Sequence, residues 1–226
     1  MRALVALLLV LLACQAVFWQ QTHGIRPQLG IVADAPSVPA IKALSLGDDQ
    51  FYFRWLALEL QNTGDTYGRF TALKEYDYKK LSEWFLLLDR LDARSNMIPS
   101  LAAYYYSQTQ NTQDVRYIVD YLYEHATRDV AHKWWWLLQA IYLAQHRLND
   151  MDLALKVAKP LVNKDVPVWA QQMTAVVYEQ RGEMDDALRI MEAIRDHAEH
   201  IPDADLRYME YFVKERLHKR ENTSTR

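Results

Sequence analysis

The chain has 226 residues, half of them apolar and 12% aromatic, and its formal net charge is −3. That length allows one domain with a substantial core or two small domains. The small net charge, with no basic stripe of interleaved aromatics, argues against a nucleic-acid partner. The single cysteine, Cys14, excludes an internal disulfide framework and any CxxC metal or redox site.

The first predicted element is an apolar N-terminal helix. Residues 3–19 are apolar except for Gln15 and follow Arg2. At about 1.5 Å rise per residue this stretch reaches roughly 25 Å, at the short end of a bilayer span. We favour a retained membrane anchor over residues 1–22. Its anchoring side chains are Leu4, Leu7, Leu8, Leu9, Leu11, Leu12, Phe18 and Trp19.

Three other interpretations of this helix stay open. It is a cleaved secretory signal if the small residues Cys14 and Ala16 mark a cleavage site. It is a lipidated segment if residues 11–14 act as a bacterial lipobox ending at Cys14. The remaining interpretation is the buried helix of a soluble protein. The anchor, signal and lipoprotein interpretations all place the body outside the cytoplasm, because the positive charge of Arg2 lies at the N-terminal end.

Residues 23–47 are predicted to be an extended linker. They contain three glycines and three prolines, with alanine and serine between them, a composition that disfavours helix and offers little to bury. Leu29, Ile31 and Val32 are apolar enough to dock on the body.

Residues 48–219 are predicted to form one helical domain, and residues 220–226 a polar tail. Asp48 and Asp49 are expected to cap the first helix of the domain, and Pro160 is expected to kink its helix near Lys159. The predicted pairs are 50–62 with 76–92, 99–108 with 114–126, 131–147 with 151–162, and 167–181 with 184–198, followed by a last helix over 203–219.

Three prolines share one spacing. The gap from Pro99 to Pro167 is 167 − 99 = 68, and the gap from Pro167 to Pro202 is 202 − 167 = 35. The unit is therefore about 34 residues with one proline missing, and each proline begins a predicted helix, where it breaks no hydrogen bond. A period near 34 built from paired helices is typical of a helical-repeat protein.

The fourth pair resembles the tetratricopeptide (TPR) repeat. Tyr178, Gly182, Ala187 and Leu188 stand where that motif has an aromatic, the turn glycine, the small crossing residue and an apolar residue. The third pair matches more loosely, with alanines at the small positions but no turn glycine. The resemblance implies an all-α fold, a TPR-like α-solenoid of about four helix pairs with a C-terminal capping helix, preceded by the apolar helix and the extended tether.

Two aromatic triplets, Tyr104–Tyr106 and Trp134–Trp136, lie on first helices of pairs, which in the TPR architecture line the concave face. Three consecutive helical residues sweep about 200°, which is wider than an ordinary apolar stripe. Either two members of each triplet pack on neighbouring helices, or at least one faces the groove and contacts a partner. Tyr105 and Trp135 are the nominal candidates for such contacts.

The segment Gly64–Phe70 is longer than a repeat needs. It lacks the GxxxxGK[ST] order of a phosphate-binding loop, so we do not expect a nucleotide site. It is either an irregular connection or a recognition loop, whose contacts would be Tyr67 and Arg69.

No pattern predicts catalysis, a metal or a cofactor. His197 and His200 have the spacing of a metal pair but no third ligand, and no HExxH or GxSxG sequence occurs. We therefore expect a protein that is not an enzyme.

The favoured function is a membrane-tethered, extracytoplasmic adaptor that binds a protein partner through its concave face. In plan the chain is similar to bacterial inner-membrane proteins with one anchor and a periplasmic TPR domain, which implies a role in assembling an envelope complex. The first alternative is a constitutive subunit of a large membrane complex. The second is a helical-scaffold hydrolase of the cell wall.

Overall fold

The computed structural model describes residues 2–23, 30–66, 68–198 and 201–217. This part of the chain is almost entirely helical, so the all-α prediction is confirmed. Its α-helices are α1 (Arg2–Thr22), α2 (Val38–Leu44), α3 (Asp49–Gln61), α4 (Tyr78–Leu91), α5 (Met97–Ser100), α6 (Val115–Thr127), α7 (Val130–His146), α8 (Met151–Ala158), α9 (Val168–Arg181), α10 (Met184–His197) and α11 (Asp203–Tyr211).

Shorter elements join the α-helices. Strands β1 (Asp65–Thr66) and β2 (Arg69–Phe70) pair antiparallel in one small hairpin. Two π-helical turns continue α5 and α11, and single 3-10 turns lie between other helices. The π turns are Leu101–Tyr105 and Phe212–Leu217, and the 3-10 turns are Leu73–Glu75, Tyr106–Gln108, Thr112–Asp114 and Lys159–Leu161.

α1 is long and apolar enough to cross a membrane. The qualifying stretch, Ala3–Thr22, has 20 residues and a mean hydropathy of 2.2, and none of it is buried against the rest of the chain. The eight side chains that the sequence assigns to the anchor are all exposed. A membrane anchor and a signal sequence share these properties, so α1 fits both.

The same aspartate cap begins three helices. Asp48 accepts a hydrogen bond from the amide of Phe51 at 2.9 Å, and Asp77 accepts one from Lys80 at 3.1 Å. Asp150 does the same for Leu153. An aspartate at this position satisfies a backbone donor that has no partner within the helix. The predicted starts of these three helices lie within two residues of the observed ones.

The prediction of an extended linker over residues 23–47 is wrong in its second half. Residues 24–29 lie outside the described part, but α2 occupies Val38–Leu44. The Ser37 hydroxyl accepts from the Ala40 amide, and Pro39 lies in the first turn, where its missing N–H costs nothing. Pro39 therefore starts a helix, although in the sequence it was interpreted as a breaker.

This segment is also fastened to the helical body. Val32 is 3% exposed and Ile41 1%, and both belong to the main core. The Trp84 indole N–H donates to the carbonyl of Ala33 at 2.9 Å, and Lys80 pairs with Asp34 at 2.6 Å. The chain is thus held on α4 soon after it leaves α1.

Helices α6 to α10 pack mainly against their neighbours in the chain. α4 contacts α3 and α6, and the contacts then run in order from α6 to α7, α8, α9 and α10. α7 also contacts α9 and the π turn Leu101–Tyr105, so helices two apart in the chain meet as well. Two buried clusters result, one over residues 32–177 and one over residues 175–212.

Small buried residues lie where paired helices pack together, and left-handed residues form the turns between them. Ala154, Ala158 and Ala187 are fully buried, as close helix crossings require. Gly182 ends α9 at φ 82°. Asn149 adopts φ 51° in the preceding turn, where the sequence has no glycine. Asparagine is among the few residues that tolerate this conformation, so it replaces the expected glycine.

The prolines behave largely as predicted. Pro167 and Pro202 immediately precede α9 and α11, and Pro160 converts the end of α8 into a 3-10 turn. The helix assigned to Pro99 begins two residues earlier, at Met97, and is not a continuous α-helix.

Buried tyrosines join α3, α4 and the 3-10 turn Tyr106–Gln108. The Tyr106 hydroxyl donates to the carbonyl of Leu60 at 2.5 Å, and the Tyr78 hydroxyl donates to the carbonyl of Tyr106 at 2.8 Å. Burial raises the pKa of Tyr78 to about 12 and raises the pKa of Tyr106 further. Both hydroxyls are therefore neutral donors throughout the ordinary pH range.

Raising the pH above about 10 is expected to destabilise the fold, because unfolded tyrosine ionises near that value. Because the folded pKa values are raised, the two tyrosines contribute their full stabilisation below about pH 10. The free energy of unfolding then falls as the pH rises toward 12. Far-UV circular dichroism and tyrosinate absorbance, followed together in detergent, should show late tyrosine ionisation coupled to helix loss. Full ionisation near pH 10 with intact helices would contradict this account.

Candidate functional site

Partly or largely exposed aromatic side chains from three helical elements contact one another at the surface. We define the aromatic strip as Tyr104, Trp134, Trp135 and Trp169. Tyr104 is 50% exposed, and Trp135 and Trp169 are each 43% exposed, although all belong to helices that also build the core. A group of large aromatic side chains exposed together on a folded body is a candidate contact surface.

Direct contacts hold the strip together. The Trp135 indole N–H donates to the Tyr104 hydroxyl at 2.9 Å. The ring of Trp134 meets the ring of Trp135 edge-on at 5.9 Å and the ring of Trp169 at 5.3 Å, with an interplanar angle of 90°. These geometries are favourable for aromatic pairs, so the strip is a connected surface.

The residues of the aromatic strip lie on three separate helical elements. Trp135 lies in the second turn of α7 and Trp169 in the first turn of α9, and both helices are the first of a predicted pair. Tyr104 lies in the π turn Leu101–Tyr105. π turns are rare and occur often at functional sites.

The two triplets divide differently between core and surface. Tyr106 is fully buried while Tyr104 and Tyr105 are exposed, so only one tyrosine packs inside. In the tryptophan triplet, Trp136 is buried, Trp134 is half-buried and Trp135 is exposed. The expectation that two members pack inside therefore holds for the tryptophans and not for the tyrosines.

The strip has a packed support beneath it. Trp136 is 6% exposed, and its indole N–H donates to the Asn96 side chain at 3.2 Å. The Trp136 ring also meets Tyr104 at 6.1 Å, and Trp134 packs on the main core. A contact surface built on buried neighbours loses little side-chain entropy when it binds.

Tyr105 lies at a second feature, a cavity of about 390 Å³ beside the β-hairpin. The walls include Gly64, Asp65 and Phe70 of the hairpin segment, with Tyr76 of the core. The structure therefore brings Tyr105 and the predicted recognition loop to one place. Of the two contacts proposed there, Tyr67 lies outside the described residues, and Arg69 lies in β2 with only its backbone described.

Buried charges between α4 and α6 form the main polar network of the core. Asp89 accepts from the Tyr121 hydroxyl at 3.0 Å and contacts His125 Nδ1 at 2.6 Å, with Arg128 at 3.5 Å. Asp89 and His125 are each about 1% exposed. An Asp–His pair resembles half of a catalytic triad, but no substrate reaches groups buried so deeply, so we assign this network to stability.

The histidines proposed as a possible metal pair are not shown together. His197 Nε2 lies 2.9 Å from the side-chain oxygen of Gln171, while His200 lies outside the described residues. Across ranges 2–23, 30–66, 68–198 and 201–217, no three His, Cys, Asp or Glu side chains are grouped as a metal site.

Sequence reasoning named Trp135 but missed Trp169. The signal was present, since 169 − 135 = 34, which is the spacing derived from the prolines. Applying the repeat length to the aromatics, and not only to the prolines, would have placed Trp169 one unit beyond Trp135.

Comparisons of the chain with protein-family models, with curated proteins and with solved structures find no match.

Proposed function

We propose that this protein is a non-enzymatic, membrane-tethered adaptor whose TPR-like helical body binds a protein partner through the aromatic strip. α1 is the retained anchor, and the charge of Arg2 at its N-terminal end favours a body on the extracytoplasmic side. A bacterial inner membrane with a periplasmic body fits this plan.

Three local features support the repeat interpretation. The helices contact their sequence neighbours in order, as in solenoids, where each unit rests on the next. Gly182 has the left-handed turn conformation, and Ala187 is fully buried at the crossing of α9 and α10. The repeat assignment also predicts that the strip, whose members belong to first helices, lies on the concave side.

The observation that carries the proposal is the strip itself. Exposed tryptophans at the same phase of two units, joined through Trp134 and extended by Tyr104, offer a line of apolar faces. Such a line suits a helix or an extended segment lying along it, because each aromatic buries a large area at low rotamer cost. Tyr105 and the hairpin provide a separate contact for the same partner.

Substituting Trp135 and Trp169 by alanine together is expected to weaken partner binding about 30-fold or more, as loss of a binding hot spot does. Tagged full-length protein is crosslinked in native membranes, and recovered proteins are quantified by mass spectrometry. Because both side chains are nearly half exposed, the melting temperature should change little.

Tyr117→Ala is the matched control, since Tyr117 is 39% exposed on α6, a second helix of a pair. It should leave recovery unchanged. Equal recovery from the tryptophan variant and the wild type would overturn the proposal. A partner that always co-purifies in fixed ratio, and without which the protein cannot be isolated, would favour the alternative of a constitutive subunit.

A further inference from the structure

α3 has two apolar stripes on opposite faces. Residues 53, 57 and 60 form one stripe, which is buried in the core. Phe51, Trp55 and Leu58 repeat the same spacing on the other side and are 63%, 53% and 54% exposed. An ordinary surface helix has one apolar face, so the second stripe requires its own explanation.

The turn before α3 adds to this surface. Leu46 is 93% exposed and Leu44 is 59% exposed. The Ser45 hydroxyl donates to the Asp49 carboxylate at 2.6 Å, which ties the turn to the first residue of α3. Leu46 has φ 51°, a conformation that leucine rarely adopts. We define the α3 patch as Leu44, Leu46, Phe51, Trp55 and Leu58.

Covalent reach keeps the α3 patch near the end of α1. Only eight residues separate Thr22 from Ile31, and the nine steps between their Cα atoms span at most about 30 Å. Ile31 lines the same cavity as Leu56 and Leu60 of α3. Whatever surrounds α1 therefore lies within a few nanometres of α3.

We infer that the α3 patch contacts the phospholipid bilayer that holds α1, with its side chains in the boundary between headgroups and acyl chains. The inference rests on the proposed retention of α1 as an anchor. Tryptophan, phenylalanine and leucine on one helix face are the residues that interfacial helices place at this depth. The Trp55 indole N–H donates to Glu59 at 3.1 Å, so its polar atom has a partner while more than half of the residue stays exposed.

Site-specific fluorescence on the full-length protein tests this contact. Cys14 is the sole cysteine and is exposed on α1, so an environment-sensitive dye on it reports insertion of α1. A second protein, Cys14→Ser with Leu58→Cys, carries the dye on the α3 patch. A third, Cys14→Ser with Tyr142→Cys, places it at a residue of similar exposure, 58%, on α7.

The proteins are reconstituted in phosphatidylcholine and phosphatidylglycerol vesicles with nitroxide-labelled lipids or aqueous iodide as quenchers. The inference expects lipid quenching at positions 14 and 58 but not at 142, and a severalfold lower iodide quenching at 58 than at 142. Lipid quenching at position 14 without lipid quenching at position 58 would overturn the inference about the α3 patch and leave the proposed anchor intact. Absence of lipid quenching at both would overturn the inference and the anchor together. Shielding of 58 from iodide without lipid quenching would show that a second copy or α1 covers the patch, which also overturns the inference.

Discussion

Replacing Asp89 by alanine is expected to lower the free energy of unfolding by about 3–5 kcal/mol, because two buried hydrogen-bonding groups lose their acceptor at about 1–3 kcal/mol each. The change deprives His125 Nδ1 and the Tyr121 hydroxyl of their acceptor, and both groups are about as buried as Asp89 itself. Urea unfolding of the full chain in mild detergent, followed by circular dichroism, measures the effect.

A double-mutant cycle with His125→Ala separates the pair from the cavity that each truncation leaves. Once Asp89 is gone, removing His125 also removes a stranded polar ring, so the double variant should lose less stability than the two single changes added together. Asp89→Asn keeps the shape and an acceptor and should cost less than alanine. A loss below about 1 kcal/mol for Asp89→Ala would show that the network contributes little.

Gly64→Ala is expected to destabilise the protein by about 2–5 kcal/mol, from backbone strain and from overpacking. Gly64 has φ 85°, and a Cβ there would lie 1.9 Å from the Tyr76 hydroxyl oxygen. That hydroxyl cannot move freely, because it donates to the carbonyl of Thr63 at 2.5 Å and its ring is buried. Thermal unfolding monitored by circular dichroism provides the measurement.

Gly182→Ala is the matched control. Its φ of 82° is almost the same, but nothing lies within 4 Å of an added Cβ. It should cost about 1–2 kcal/mol from the backbone alone. The difference between the two variants isolates the collision with Tyr76, and equal losses would contradict the predicted collision.

The helices were predictable wherever local chemistry determines them. Asp48 and Asp77 cap their helices by bonding to an amide three residues on, and this pattern is visible in the sequence. The kink at Pro160 follows from a ring that cannot donate a hydrogen bond. These features depend on a few consecutive residues and need no knowledge of the rest of the chain.

Features that depend on distant contacts were not predictable in the same way. Residues 30–47 have a linker-like composition, yet Val32 and Ile41 are buried because α4 and the core provide a place for them. The exposure of Phe51, Trp55 and Leu58 was not predictable either, since periodicity does not say which of two stripes meets the core.

Only part of the candidate site could be predicted from the sequence. The residues of the two triplets stand out in the sequence, but Tyr104 and Tyr105 lie in the π turn Leu101–Tyr105, for which the sequence has no established signal. Trp169 was missed because it stands alone in its helix, and its link to Trp134 exists only after α7 and α9 pack together.

The early docking of the chain after α1 has a consequence for affinity. With α1 retained, fewer than ten residues join the bilayer to Ile31, so the body samples only a thin layer above the membrane. A partner embedded in the same membrane is confined to the same layer, so it meets the aromatic strip at a higher local concentration than it would in solution. The encounter can therefore be stable within the membrane and weak once either protein is extracted from it.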